Sequence, residues 1–190
     1  QFWFEFASTY SYLSAMRIET VATDAGVAVE WHPFLLGPIF AAQGWDTSPF
    51  NIYPAKGRYM FRDMSRRCAD LNLPFQHPDP FPQNSLLAAR LALVADAHGK
   101  LAAFCRAVYS AEFGQGRDIS APQVLQDCLR AAELAPNLID QAGQPQIKAA
   151  LRHQTERAQA LDLFGAPSFI VGTELFWGDD QLETALRYAT

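Results

Sequence analysis

Two serines three positions apart, Ser8 and Ser11, lie in FASTYSYLS at residues 6–14. They follow the apolar run FWFEF and lead into an amphipathic segment, SAMRIETVATDAG. A strand that feeds a helix through such a turn puts Ser8 at the helix start. One use of a serine there is as an N-cap, a role that either Ser8 or Ser11 can fill. The other use is chemical. A helix N-terminus presents unpaired N–H groups and partial positive charge, so it favours an anion. A serine at that point can donate a hydrogen bond to a bound thiolate, and helix N-termini with positive neighbours draw a thiol pKa from ~8.5 down to ~3.5–7.5. The turn by itself leaves both uses open.

Three other segments carry residues of the right type. Pro167 follows Gly165-Ala166 and opens the apolar run SFIVG. Prolines open strands commonly, but a cis proline here also frees the backbone of Ala166 to pair with an extended peptide by strand addition. In WGDDQLE, Asp180 and Glu183 fit a D-x-x-E capping box. A carboxylate at that helix start can also receive the ammonium of a peptide-like ligand, and Asp179 makes the spot doubly acidic. In NIYPAKGRYMFRDMSRR, Arg58, Arg62 and Arg66 are spaced as one helical face, expected to be solvated and paired with Asp63 and Asp70. Lys56, delivered by a proline-bearing loop, stands apart from that stripe as a ligand-side candidate.

The elements that position these residues follow from periodicity. FWFEF (2–6) and the alternating VAVEWHPF (27–34) read as strands. SFIVG and TELFWG (168–178) read as a hairpin turning near Gly172-Thr173, and DDQLETALRYA as a short closing helix. From 37 to 160 apolar residues recur at helical spacing, with Ser120 as an expected N-cap ahead of Pro122. Pro- and Gly-rich loops, notably GPIFAAQGWDTSPFNIYP and PFQHPDPFPQ, separate these helices. The sum is β-α-β, a helical block, then β-β-α. That is an α/β, thioredoxin-like fold with a large all-helical insertion: residues 1–36 and 161–190 form the thioredoxin-like domain and 37–160 the insertion domain. In such a fold Ser8 and Ser11 occupy the positions of a redox C-x-x-C pair, and the Pro167 loop faces them.

Composition narrows the function. With 49% hydrophobic and 18% charged residues, the 190-residue chain is a folded globule. A net charge of −5 without a basic run argues against nucleic acid. No apolar stretch approaches the ~20 residues that cross a bilayer, and no signal peptide is expected from the opening residues. Cys68, Cys105 and Cys128 are odd in number, scattered, and without a C-x-x-C. That pattern suits buried thiols in a reducing, cytoplasmic setting. His32, His77, His98 and His153 lack ligand spacing, so no metal is expected.

The motifs F-x-F-x-S-x-Y-S-Y-L, Y-P-x-K-G-x-Y-M-x-x-D, F-G-A-P-S-F and F-W-G-D-D, in this order over nearly the whole chain, resemble the 2-hydroxychromene-2-carboxylate isomerases and kappa-class glutathione transferases of the DsbA-like thioredoxin superfamily. The resemblance implies a homodimeric enzyme that uses glutathione on a small aromatic or electrophilic substrate. In the isomerases a thiolate adds reversibly to the substrate's conjugated system, a bond rotates, and the thiol leaves. By the same resemblance Ser8 is the catalytic serine at the glutathione sulfur, and Ala166 and Pro167 hold the cysteinyl unit. Trp177, Gly178, Asp179 and Asp180 hold the γ-glutamyl end, while Lys56 and Asp63 lie at or near the ligand. Asn51, Phe81 and Asn84, in the two long loops, are the substrate-side candidates. The sequence departs from its relatives at Thr9, at Asp179, at Trp45, and at Ile39-Phe40-Ala41-Ala42, where naphthalene-pathway isomerases carry a lysine. The competing readings are a DsbA-type thiol–disulfide oxidoreductase, for which Ser8 and Ser11 offer no thiol, and a non-catalytic peptide-binding module.

Overall fold

The computed structural model describes residues 1–190. Its sheet has four strands in the order β2-β1-β3-β4. β1 (Phe2–Phe4) runs parallel to β2 (Trp31–Pro33), and the crossover between them is α1 (Thr9–Asp24). β3 (Ser168–Val171) is antiparallel to β1, with Phe2 opposite Phe169, and the hairpin partner β4 (Glu174–Trp177) lies outside it. The hairpin turns at Gly172-Thr173 as the sequence implies, with Gly172 at φ +61. The architecture is thus the thioredoxin-like one expected.

Between the two halves run α2 (Leu36–Ala42), α3 (Pro49–Ile52), α4 (Pro54–Asp70), α5 (Leu86–Ala97), α6 (Leu101–Tyr109), α7 (Pro122–Ala131) and α8 (Pro145–Ala160), and α9 (Leu182–Ala189) closes the chain. A single π turn, Ser110–Gly114, extends α6. The inserted helices and the sheet elements share one core. Phe4 and Phe6 of the first strand region meet Tyr109 of α6, and Tyr12 of α1 stacks on Phe113 of the π turn at 5.6 Å. Burying aromatics of this size from both segments welds them together.

Three local expectations fail for identifiable reasons. The stretch GPIFAAQGWDTSPFNIYP, expected as a loop, carries α2 and α3, the latter started by Ser48, whose Oγ accepts the Phe50 N–H, and by Pro49 at the first helical position. The strands are shorter than the patterns at 2–6 and 27–34. β1 ends at Phe4 because the Ser8 N–H turns back to the Glu5 carbonyl at 3.1 Å. Val27 is held in the turn after α1, its N–H on the Ala22 carbonyl at 2.8 Å, so β2 starts later. Ser120 does not cap α7. Pro122 takes the first helical position and makes Ala121 the N-cap, while the Ser120 N–H is held by Asp118 Oδ1 at 2.8 Å.

Candidate active site

Ser8 caps α1 from an extended conformation, φ −88 and ψ 112, with its Oγ accepting the Ser11 N–H at 3.2 Å. Its own hydroxyl donates to the Ala166 carbonyl at 2.9 Å. The turn and the proline loop therefore meet at hydrogen-bond distance. The Ala166–Pro167 bond is cis, as are Asp79–Pro80 and Phe81–Pro82. The flanking carbonyls are also engaged: Gly165 accepts from Ser168 Oγ at 2.8 Å and Pro167 from the Gly178 N–H at 2.9 Å. The Ala166 N–H makes no hydrogen bond within the protein. Ser11 has a different environment. It is fully buried on the inner face of α1, and its Oγ has no partner.

A cavity of about 780 Å³ opens between this turn, the Gly165-Ala166 loop and the two long loops. Ser8, Ala166, Lys56, Trp177, Phe81 and Asn84 all line it. Lys56 lies in the first turn of α4, exposed, with Nζ 6.0 Å from the Phe50 ring centroid. Trp177 is half exposed and lies against Gly165, where a Cβ would sit 2.4 Å from the indole Nε1. Only glycine permits that approach. Phe164 meets the same indole edge-on at 5.0 Å. Phe40, Trp45, Phe50 and Tyr53 add an apolar wall; of these the sequence reading names Phe40 and Trp45, both as departures from the relatives. Aromatic rings on one side of the cavity, with polar side chains such as Gln43, Asp46 and Ser48 among its lining, suit an organic ligand that has both a flat apolar part and polar groups.

Other candidates lie outside this cavity. Asn51 bridges the two long loops, its Nδ2 donating to Thr47 Oγ1 at 3.1 Å and to the Phe81 carbonyl at 3.3 Å. Asp63 accepts from the Tyr10 hydroxyl at 3.0 Å and from Arg67 Nε at 2.8 Å. It pairs four residues along α4 with Arg67 rather than with the Arg58-Arg62-Arg66 stripe, whose members are exposed. Asp179 faces the interior. It accepts from Ser14 Oγ at 2.8 Å and from Arg17 Nη2 at 3.1 Å, with Arg67 Nη1 at 3.7 Å. The spot is therefore not doubly acidic: Asp179 is neutralised from beneath, and Asp180 alone is exposed.

The capping box of Asp180 and Glu183 does not form. Gly178, at φ +107, turns the chain into a 3-10 segment, Asp179–Gln181, and α9 begins at Leu182 without a side-chain cap. Glu183 pairs instead with Arg17 of α1. The arginine bridges Asp179 and Glu183, which anchors the loop after β4 onto α1 and so fixes Trp177 above the cavity.

Three polar residues of the cavity wall were not picked out from sequence. Glu5 precedes Ser8 by three positions and is buried, its carboxylate accepting from the Ser85 hydroxyl. Burial pushes its carboxyl up to about 7, against the opposing effect of hydrogen bonds from Ser85 and the Ala7 backbone. Gln83 is buried with Oε1 on the Ile119 N–H at 2.8 Å and Nε2 unpartnered. The signal for Glu5 was present: it is the one charge in the run FWFEFA. The cysteines lie elsewhere, buried in α4, α6 and α7, and burial raises all three thiols.

A helix N-terminus capped by a side chain, facing a cis-proline loop across one end of a mixed four-stranded sheet, defines a thioredoxin-superfamily site. The chain belongs to the DsbA-like thioredoxin domain family, whose model matches residues 1–189. Over 98% of its length it is 28% identical to a 2-hydroxychromene-2-carboxylate isomerase of Sphingobium xenophagum, covering 95% of that protein. It is 25% identical to human glutathione S-transferase kappa 1, over 96% of this chain and 87% of the relative. A solved 2-hydroxychromene-2-carboxylate isomerase superposes with a TM-score of 0.85 at 23% identity, over 98% of this chain and 92% of the other.

Proposed function

We propose that this protein is a glutathione-dependent enzyme, an isomerase of the 2-hydroxychromene-2-carboxylate type or a kappa-class-like transferase. The observation that carries the reading is that Ser8, Ala166, Lys56 and Trp177 line one cavity. That set fits a γ-glutamyl tripeptide. The unpaired Ala166 N–H is free for a peptide carbonyl, Lys56 for a carboxylate, and the exposed Asp180 for the γ-glutamyl ammonium. Ser8 and the first amides of α1 favour an ionised sulfur. Bound there, glutathione would supply the nucleophile that adds to the substrate's conjugated system.

Names borne by relatives at 25% and 28% identity support an enzyme of this kind. A homodimer acting in the cytoplasm on small aromatic or electrophilic compounds completes the proposal. A DsbA-type disulfide exchange would need a thiol at the turn, and the three cysteines are buried in helices of the insertion. A non-catalytic peptide binder would show no turnover.

The test is thermal unfolding with and without glutathione, followed by turnover on conjugated aromatic pyruvates and simple electrophiles. Glutathione at about 100 times its dissociation constant should stabilise the fold by ~2.7 kcal/mol. No stabilisation and no glutathione-dependent turnover on either substrate class would overturn the assignment.

A further inference from the structure

We propose that the outer face of α4, together with the exposed end of α3 before it, docks on an anionic membrane surface. The inference goes beyond the proposed function and holds whether or not glutathione is used. No helix is long and apolar enough to cross a bilayer, so the contact is one of lying against the lipid, not of spanning it.

α4 has two opposed faces. Gly57, Met60, Met64 and Cys68 recur at helical spacing and are buried. Arg58, Arg62 and Arg66 follow the same spacing on the other side, are exposed, and form no ion pair. The carboxylates of the helix leave them uncompensated: Asp63 is engaged with Tyr10 and Arg67, and Asp70 is the last helical residue. Lys56, on the cavity side, adds a fourth exposed cation. On a chain of net charge −5 these residues form a local positive surface, which attracts an anionic partner.

The same surface carries apolar side chains that the fold leaves in water. Ile52, Tyr53 and Tyr59 are 36%, 55% and 60% exposed, and the Arg66 guanidinium lies 6.0 Å from the Tyr59 ring centroid. A tyrosine joins an apolar body to a polar tip, and such rings among cations are the composition of a helix lying in a membrane interface. A nucleic acid would engage the cations but leave Ile52 in water. A second copy of the chain would set arginine stripe against arginine stripe, because a two-fold contact pairs a patch with itself. An anionic bilayer satisfies both the charges and the apolar groups.

The cavity borders this face. Tyr53 and Tyr59 line it, as do Leu86, Phe164 and Trp177, so five of the eight exposed large apolar side chains belong to its rim. Of the other three, Ile52 adjoins Tyr53, and only Leu71 and Tyr188 stand apart. Exposed apolar groups gathered in one place mark a contact surface. Docked there, the protein takes an apolar compound from the bilayer into the cavity without a passage through bulk water.

The test is co-sedimentation with vesicles, without glutathione, so its outcome is separate from that of the glutathione assignment. The wild type should bind vesicles of phosphatidylcholine mixed with phosphatidylglycerol at low salt and leave them at high salt. It should not bind phosphatidylcholine alone. Arg58→Gln, Arg62→Gln and Arg66→Gln combined should weaken binding roughly a hundred-fold, about five-fold for each cation. The three Arg→Lys changes at the same positions keep the charge and should bind within about three-fold of the wild type. Ile52→Ser with Tyr59→Ser should cost roughly three- to ten-fold at low salt. Near-UV circular dichroism checks that each variant is folded. No binding to anionic vesicles, or binding that survives loss of the three arginines, would overturn the proposal. So would equal affinity for a single-stranded oligonucleotide with no loss in the Ile52 and Tyr59 variant, which would make the face a nucleic-acid site. A dimer that the glutamine variant alone fails to form would make it a subunit contact and overturn the proposal as well.

Discussion

The Ser8 hydroxyl donates to the Ala166 carbonyl at 2.9 Å, joining residues 158 positions apart in the chain. Its single proton is therefore engaged before any ligand binds. To serve a thiolate it must leave Ala166, exchanging a neutral hydrogen bond for a charge-assisted one that is roughly twice as strong. The exchange favours the ionised sulfur over the thiol, which is what a serine at a catalytic turn has to do.

Ser8→Ala should consequently raise the pKa of bound glutathione and slow turnover at neutral pH by roughly ten- to a hundred-fold, the worth of a hydrogen bond to a charged group at ~1.5–3 kcal/mol. It also removes the cap, so the fold should lose about 1 kcal/mol. The pH profile of turnover separates the two effects. A wild-type midpoint and rate in the variant would leave Ser8 a cap alone.

Asp179→Asn tests the buried network. Asp179 meets Ser14, Arg17 and Arg67 while its side chain is 6% exposed. Removing its charge leaves two arginines facing a neutral amide, and breaking a buried pair costs about 3–5 kcal/mol. Denaturant unfolding should show a loss at the lower end of that range, because Arg17 retains Glu183. A loss below about 1 kcal/mol would show that Asp179 does not anchor the loop.

Gly165→Ala should displace the indole of Trp177, since the new methyl would sit 2.4 Å from Nε1. Trp177 is half exposed and has room to swing outward, so the expected cost to stability is ~1 kcal/mol, the low end for overpacking. The indole should become more hydrated, with a red-shifted emission, and glutathione should bind more weakly. Unchanged emission and affinity would detach Trp177 from the ligand site.

The sequence disclosed the turn, the proline loop and the hairpin because each is local. Ser8 follows a short strand, Pro167 opens another, and Gly172 turns the chain. What it hid depends on contacts between distant segments. Asp180 and Glu183 have the right spacing for a capping box, but Arg17, 166 positions before Glu183, takes that carboxylate. Asn51 sits in the short helix α3 within one long loop and Asn84 lies in the other, and the path of both loops is set by packing. One bridges those loops and the other helps start α5, with its Oδ1 on the Leu86 N–H at 3.0 Å. Glu5 was visible as an isolated charge among aromatics, yet only the fold shows that the strand end carrying it lines a cavity.

Glu5 should also give the protein an unusual stability profile. Its carboxyl titrates near 4.5 in ordinary surroundings and is pushed up to about 7 in the folded protein by burial. Between those values the folded state holds a proton that the unfolded chain has released. Stability therefore falls as pH rises through that window and levels off above about 7, by an amount on the order of 3 kcal/mol. Glu112, raised in the same direction, adds to the fall. Glu5→Gln removes the first contribution and leaves the second, so the variant should lose less stability between about pH 4.5 and about pH 7 than the wild type. Urea unfolding at several pH values measures both slopes. Equal slopes in the two proteins would mean that Glu5 is solvated enough to ionise normally.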